Sequence, residues 1–275
     1  MKVKEFVITS RSNPLVSETV KLQKKRDRDE TGRFLVDGKK LCCEYIRKCG
    51  RPHLLFVSEE HIDDLLPELA RIEREHDLSL EVTPVSESVL SKMTLQSAPD
   101  GIIVVGERKL LPDCSLASDK WAGERMIVLD SLQDPGNVGT VVRTALALGY
   151  DRVILTDKCA DIYSPKTLRA SMGAIFSLRI SVVSDLSETV SELRSRGRRV
   201  LAAELRENAL SLDDIDICDT DVFVIGNEGH GIDENVSSQC DMSVYIPISE
   251  QSESLNAAIA ATVLMWQQRG SFRIR

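Results

Sequence analysis

Three stretches of the sequence place glycine, amide, carboxylate or guanidinium groups directly after apolar runs. They read LDSLQDPGNVGTVVRTALALG at 129–149, VFVIGNEGHGID at 222–233 and VYIPISEQSESLN at 244–256. In the first, Pro135 and Gly136 predict a turn, Asn137 a helix N-cap, and Val138, Val141, Val142 and Ala145 a core-facing stripe. Gly139 and Arg143 stand four apart on one helical face, so a missing side chain leaves room above a guanidinium. A planar, permanently charged fork beside helix N–H groups suits a phosphate, although a surface arginine behind an ordinary cap is spelled the same way.

In the second stretch a strand opens into G-x-x-G-x-G, where glycine lets backbone approach a ligand closely. The pattern is neither the dinucleotide G-x-G-x-x-G nor a P-loop, and Glu228 within it suits a cationic or hydroxyl-bearing ligand. A plain turn before a helix from Ile232 is the alternative, and His230 is a lone loop histidine. In the third, Pro247 ends a strand, Ser254 is the expected N-cap of a helix beginning near Leu255, and Asn256 offers an amide that both donates and accepts. The following AAIAATVLMW is apolar nearly all round, a surface for burial against a sheet or a second subunit.

These stretches need a scaffold. Strand-like runs at 34–38, 54–58, 80–85 and 101–106 alternate with the helical patterns KKLCCEYIRKCG and IDDLLPELARIERE, which predicts a small α/β domain. A polar segment broken by Pro112 follows, and from Met126 six further runs appear: MIVLD, RVILT, LRISVV, RRVLAAE, DVFVIG and SVYIPI. Continuous Val- and Ile-rich runs mark strands covered on both faces, hence a parallel sheet. Such sheets bind ligands beyond the carboxyl ends of their strands, where the three stretches fall. The expected division is a first domain at 1–107, a linker at 108–124 and a second domain at 125–275.

With 42% hydrophobic and 28% charged residues, the chain has the balance of a folded globular protein. No apolar run approaches the roughly 20 residues of a membrane-spanning helix, and MKVKEFVITSRSN lacks a signal-peptide core, so a cytoplasmic protein without membrane association is expected. The seven cysteines include no C-x-x-C pair and the four histidines lack ligand spacing, which predicts reduced thiols and no metal site. The net charge of −8 conceals a basic start, since residues 1–53 hold 14 Lys/Arg against 7 Asp/Glu. Lys24, Lys25, Arg26 and Arg28 read either as a phosphate-binding patch or as part of a solvated amphipathic helix.

Taken together, the three stretches resemble the motifs of the SpoU, or TrmH-like, branch of the SPOUT RNA methyltransferases. DPGNVGTVVRTA is similar to the first motif, with Asn137, Gly139 and Arg143 at matching positions; VFVIGNEGHGI is similar to the second, with Gly226, Glu228 and Gly231. IPISEQSESLNAAIAA is similar to the third, with Ile246, Pro247, Ser254, Leu255 and Asn256. SPKTLRASMGAIFSLRI resembles the family's middle region, and the chain from ITSRSNPLV to SAPDGIIVVGE resembles the ribosomal-protein-like RNA-binding domain that often precedes the catalytic one.

The resemblance implies an α/β domain whose parallel sheet carries a deep trefoil knot, a device otherwise essentially absent from proteins. It also implies S-adenosylmethionine among the knotted loops, a homodimer, and methyl transfer to a ribose 2′-OH of structured RNA, with ribosomal RNA ahead of transfer RNA. Cofactor contacts are implied at Ala203, Gly226, Ile246 and Leu255, chiefly through backbone, and catalytic roles for Arg143, Asn137, Glu228, Ser254 and Asn256. One departure stands out: glycine is usual soon after the Ile-Pro segment, where this chain has Glu250, Gln251 and Ser252, which are expected to decorate the loop's outer face. The alternative is a non-catalytic RNA-binding or assembly factor that keeps the fold; the intact Asn137, Arg143, Glu228 and Asn256 speak against it.

Overall fold

The computed structural model describes residues 1–108 and 123–268. Most of the expected linker, with Cys114, lies outside the described residues. The chain divides into two compact units, the first holding residues 1–108 and 161–177 and the second 123–160 and 178–268 among those described.

The first unit runs β1 (Lys2–Val3), α1 (Pro14–Lys21), α2 (Lys25–Thr31), β2 (Arg33–Asp37), α3 (Lys39–Cys49), β3 (Leu54–Ser58), α4 (Ile62–Glu75), β4 (Glu81–Val85), α5 (Glu87–Met93) and β5 (Ile102–Glu107). Its five strands lie in the order β1-β4-β3-β5-β2, with β5 antiparallel to both neighbours. Leu65, Leu69 and Ile72 form the buried stripe of α4, spaced at four and three residues as a helix face requires. KLQKKRDRDE is not one continuous helix, because α1 ends at Lys21 and α2 begins at Lys25. Lys24, Lys25 and Arg26 are exposed, whereas Arg28 is 3% exposed and bonds Asp161 and the Leu22 carbonyl. A guanidinium so engaged is not available to a phosphate, so Arg28 drops out of the basic patch.

Residues 161–177 complete this unit through ring packing as well as charge. Phe34 meets Tyr45 edge-on at 5.9 Å and Tyr163 at 5.2 Å, and Phe176 meets Tyr45 edge-on at 5.4 Å. A side chain at Gly106, opposite Phe34 in the sheet, would lie 2.8 Å from the Phe34 ring, so glycine makes room for the cluster. The helix within this segment is α7 (Pro165–Ser171).

The second unit contains β6 (Met126–Leu129), α6 (Pro135–Ala147), β7 (Arg152–Thr156), β8 (Arg179–Val183), α8 (Leu186–Ser195), β9 (Val200–Ala203), β10 (Leu210–Ser211), β11 (Val222–Ile225), α9 (Glu234–Ser237), β12 (Met242–Tyr245) and α10 (Ala257–Gln268). Its seven strands are all parallel, in the order β10-β12-β9-β11-β6-β7-β8. Every residue of β6, β7 and β11 is buried, as expected for strands covered on both faces. The six apolar runs are six of these strands; the seventh, β10, has two residues and no period to read. Helix α10 packs on α6 and β11. Because all strands share one direction, the loops after β6, β9, β11 and β12 emerge at one end of the sheet. Among the described residues no helix is long and apolar enough to cross a membrane.

Candidate active site at the carboxyl ends of the parallel strands

Asn137 is not the N-cap of α6. Asp134 is: its carboxylate accepts the Asn137 N–H at 2.9 Å, and Pro135 occupies the first helical position, where a missing N–H costs nothing. The correction matters chemically, because an Asn137 relieved of capping has a free side-chain amide. Its Nδ2 donates to Glu228 Oε1 at 2.8 Å, and its Oδ1 accepts from Asn256 Nδ2 at 3.1 Å.

Ser254 is likewise not the N-cap of α10. The helix begins at Ala257, and Asn256 Oδ1 accepts the N–H groups of Ala258 at 2.9 Å and Ile259 at 3.3 Å. The helix end thus orients one side of the Asn256 amide and leaves Nδ2 aimed at Asn137. A directed chain results, α10 N–H groups to Asn256, Asn256 to Asn137, Asn137 to Glu228, joining residues more than 90 positions apart. It also fixes which way each amide points, since only one assignment satisfies all donors and acceptors.

Glu228 ends the chain as an acceptor. Partial burial pushes its pKa up, but bonds from the Asn137 amide and from the backbone at Glu228, Gln133 and Asp134 outweigh that and hold the carboxyl below the usual glutamate range. It is therefore an ionised acceptor at neutral pH.

Arg143 and Ser254 stand outside this chain. Arg143 lies on the exposed side of α6 and makes no hydrogen bond or ion pair among the described residues. Gly139, one turn earlier, belongs to the buried residues of α6. The Ser254 hydroxyl is exposed, and its backbone carbonyl accepts from Ser252 Oγ at 3.2 Å.

A cleft of about 500 Å³ adjoins Asn256. Ala203, Ile246 and Leu255 line it, as does Ser254, so three of the four positions expected to touch a cofactor share one wall system. Gly226 is not among the lining residues. Its missing Cβ also meets a local need: a Cβ there would lie 2.3 Å from the Gly231 carbonyl carbon and 2.5 Å from the Ile232 nitrogen. Glu250 and Ser252 also line the cleft, which corrects the expectation that they only decorate the outer face; Gln251 alone stays off the wall. The ionisable residues of the lining include Glu204, Glu250 and Glu253, and Glu204 is already paired with Arg206 at 2.8 Å. Apolar walls of Val244, Ile246 and Leu255 for a purine, with carboxylates and no Lys or Arg in the lining among the described residues, fit a positively charged sulfonium nucleoside.

Three further residues hold the site, and the sequence offered little to find them. Asn227 bonds the Ser131 carbonyl, Ser131 takes a positive φ of 56°, and Asp130 is 4% exposed with both oxygens engaged. The only available hint is that a polar pair, Asp130–Ser131, follows directly on a wholly buried strand.

Known proteins share this architecture. Residues 124–266 match the SpoU rRNA Methylase family model, and residues 13–104 match the MRM3-like substrate binding domain. The chain is 33% identical over 264 residues to the 23S rRNA (guanosine(2553)-2′-O)-methyltransferase RlmP of Bacillus subtilis (strain 168), covering 96% of this chain and 99% of that protein. An AdoMet-bound rRNA methyltransferase from Sinorhizobium meliloti superposes with a TM-score of 0.79 at 27% identity, covering 99% of each chain. A TrmH-family RNA methyltransferase structure from Porphyromonas gingivalis gives a TM-score of 0.78 at 29% identity, over 94% of this chain and 98% of that one.

Proposed function

Because the chain belongs to the SpoU rRNA Methylase family, we propose that Arg143, Asn137, Glu228, Ser254 and Asn256 carry out methyl transfer to a ribose 2′-OH, with Ala203, Gly226, Ile246 and Leu255 holding the cofactor. The protein is an S-adenosylmethionine-dependent RNA 2′-O-ribose methyltransferase acting on ribosomal RNA. Family membership carries with it the trefoil-knotted catalytic domain. The observation that carries the assignment of roles is the chain from Asn256 through Asn137 to Glu228, which sets a fixed polar surface next to the cleft.

S-adenosylmethionine supplies a methyl group already activated on a sulfonium, so the chain's own residues have to align the acceptor hydroxyl and weaken its O–H bond. Arg143 suits the alignment, because a permanently protonated fork without a protein partner among the described residues takes the phosphate beside the target ribose. Its charge also lowers the pKa of the neighbouring 2′-OH, which needs no deprotonation of the arginine itself. Asn137, held from both sides, presents a fixed amide; Glu228 keeps that amide turned; Ser254, at the cleft wall, supplies a free hydroxyl towards the reacting oxygen. The basic start of the first unit, with Lys24, Lys25 and Arg26 exposed, provides non-specific attraction to the RNA backbone.

We place the protein in the cytoplasm as a homodimer. Ile259 and Trp266, seven residues apart on one face of α10, are 51% and 50% exposed, and Leu146 on α6 is 40% exposed, an apolar face suited to a second copy. Light scattering of Trp266→Asp tests this: a wild-type mass of one chain, or an unchanged dimer in the variant, removes the proposal. The function itself is tested by incubating the protein with S-adenosylmethionine and ribosomal RNA from cells lacking the gene, then mapping 2′-O-methyl sites. The first position to examine is the 23S guanosine named for the Bacillus subtilis relative; absence of any new site overturns the reading.

A further inference from the structure

Two loops, one after β6 and one after β11, are tied together at two points besides the bond from the Gln133 N–H to Glu228 itself. At the first, Asn227 Nδ2 donates to the Ser131 carbonyl at 2.7 Å while its Oδ1 accepts the N–H groups of Gly229 at 2.8 Å and His230 at 3.1 Å. At the second, Asp130 Oδ2 accepts the Asp233 N–H at 2.8 Å. Glu228 lies between these ties, immediately after Asn227. The loop is also closed on itself, since Asn227 and Gly231 exchange backbone bonds of 2.9 and 3.0 Å. Gly226 allows that return to pass close above the strand end.

The receiving side is held under strain. Ser131 has a φ of 56°, a left-handed conformation that a residue with a side chain adopts at a cost and keeps only where its surroundings over-determine it. Two bonds supply that constraint: its N–H donates to Thr156 Oγ1 at 2.9 Å and its hydroxyl to Asp130 Oδ1 at 2.9 Å. The twist turns the Ser131 carbonyl towards Asn227. The three bonds of the Asn227 side chain all run within or between these two loops.

We infer that Asn227 is a positioning residue for methyl transfer, clasping Ser131 so that Glu228 faces Asn137 in one register. The inference rests on the proposed function, in which Glu228 and Asn137 serve the reaction. A carboxylate on a loop closed only to itself would still meet Asn137 part of the time; the clasp removes the other placements before substrate arrives. Aspartate at 227 could accept from Gly229 and His230 but would put a charge against the Ser131 carbonyl in place of a donor, so it isolates the bond between the loops.

The test uses the full-length protein, S-adenosylmethionine and unmodified ribosomal RNA, with kcat, KM for RNA, calorimetric cofactor affinity and thermal melting measured for Asn227→Ala, Asn227→Asp, Glu228→Ala and the double variant Asn227→Ala/Glu228→Ala. Asn227→Ala should lower kcat by about 10- to 100-fold with KM and cofactor affinity within about twofold, the pattern of misplacement and not of lost binding. Asn227→Asp should lose nearly as much, although it keeps the loop's own turn. Adding Asn227→Ala to Glu228→Ala should cost less than about threefold more, because the two act as one unit. Wild-type turnover in Asn227→Asp, or a fully additive double variant, overturns the clasp. Should Asn227→Ala fail to fold, Asn227→Asp decides alone. If Glu228→Ala itself leaves kcat unchanged, the assignment of Glu228 falls, and the clasp with it, and that outcome is recognisable because the single Glu228 variant reports it independently of Asn227.

Discussion

The two ends of the parallel sheet in the second unit are built from opposite materials. At the amino ends of the strands, Glu124 accepts from Arg152 Nε at 2.9 Å and from Arg179, while its carbonyl takes Arg198 at 2.6 Å. Arg199 makes a two-pronged bond to Asp221 at 3.0 and 2.6 Å, and Asp241 accepts the Val200 N–H at 2.8 Å while pairing with Arg194. Glu124, Arg152 and Asp221 are all buried, so the ions there are spent on one another. At the carboxyl ends Glu228 is exposed with amides as its partners, and Arg143, on the α6 helix that starts there, is exposed without a partner among the described residues. One end is neutralised and holds the sheet; the other has the Glu204–Arg206 pair but also keeps Glu228 without a cationic partner among the described residues, charge that the proposed function puts to use on RNA and a sulfonium. Charge left uncompensated contributes little to stability but is what a site needs.

Exchanging the two roles should fail in opposite ways. Arg143→Ala should lower turnover by about 1,000-fold, the scale of losing a preorganised charge at the reacting centre, with melting temperature and cofactor affinity unchanged. A variant that still methylates RNA at a tenth of the wild-type rate breaks the assignment. Glu124→Ala should do the reverse. Removing it leaves Arg152, 2% exposed, as an uncompensated buried charge, at a cost of about 3–5 kcal/mol. The readout is a melting curve displaced downward by about 10 °C, with turnover at low temperature within twofold of wild type. A melting point that does not move would show that the amino end is not where stability is concentrated.

A smaller effect separates charge from placement at Glu228. Its pKa lies below the usual glutamate range, so the ionised acceptor is complete above that range and is lost only as pH falls through the depressed value. Activity should therefore have an acid limb that Glu228→Gln lacks. At neutral pH that variant should lose about fivefold in kcat, since a neutral carbonyl still accepts from Asn137 but more weakly than a carboxylate. An acid limb that persists unchanged in Glu228→Gln would assign it to some other group.

What could be read from the sequence divides along the same physical line. Strands such as β6, β7 and β11 declare themselves because both faces are apolar, and the three stretches at their ends follow from the rule for parallel sheets. The caps were legible in kind but not in place: Asp134 before a proline and Asn256 before a run of alanines are better cap signals than Asn137 and Ser254, and each correction frees a side chain for the site. Asn227 with Ser131 was not legible, because their bond joins residues 96 apart and neither type is unusual in a loop. The same holds for the packing of Tyr163 and Phe176 with Phe34 and Tyr45, which takes residues 161–177 out of the second unit although they lie between two of its strands.

The smallest expected effect concerns the loop at 249–255. Unlike the Glu228 loop, its hydrogen bonds among the described residues are internal: the Ser252 N–H to the Ser249 carbonyl at 3.0 Å, the Gln251 N–H to Ser249 Oγ at 3.3 Å and Ser252 Oγ to the Ser254 carbonyl. Among the described residues nothing clasps it to a neighbouring strand, so its part in the proposed cofactor cleft comes through the side chains it places on the wall, Glu250 and Glu253 among them. A unit charge about 7 Å from another in a largely aqueous medium is worth about 0.6 kcal/mol, or roughly threefold in affinity. Glu250→Gln should therefore weaken S-adenosylmethionine by about two- to threefold at low salt, and less at higher ionic strength where exposed charges are screened. S-adenosylhomocysteine, whose sulfur is neutral, should bind the variant and the wild type alike in the same calorimetric experiment. Glu250→Gly puts a glycine into the segment where the third motif usually carries one, yet it should also weaken the cofactor, because it removes the carboxylate and adds backbone freedom that binding must then restrict. Tighter binding in Glu250→Gly would instead mean that the bulk at 250 narrows the cleft, and that the carboxyl end of the sheet is limited by space at this loop and not by charge.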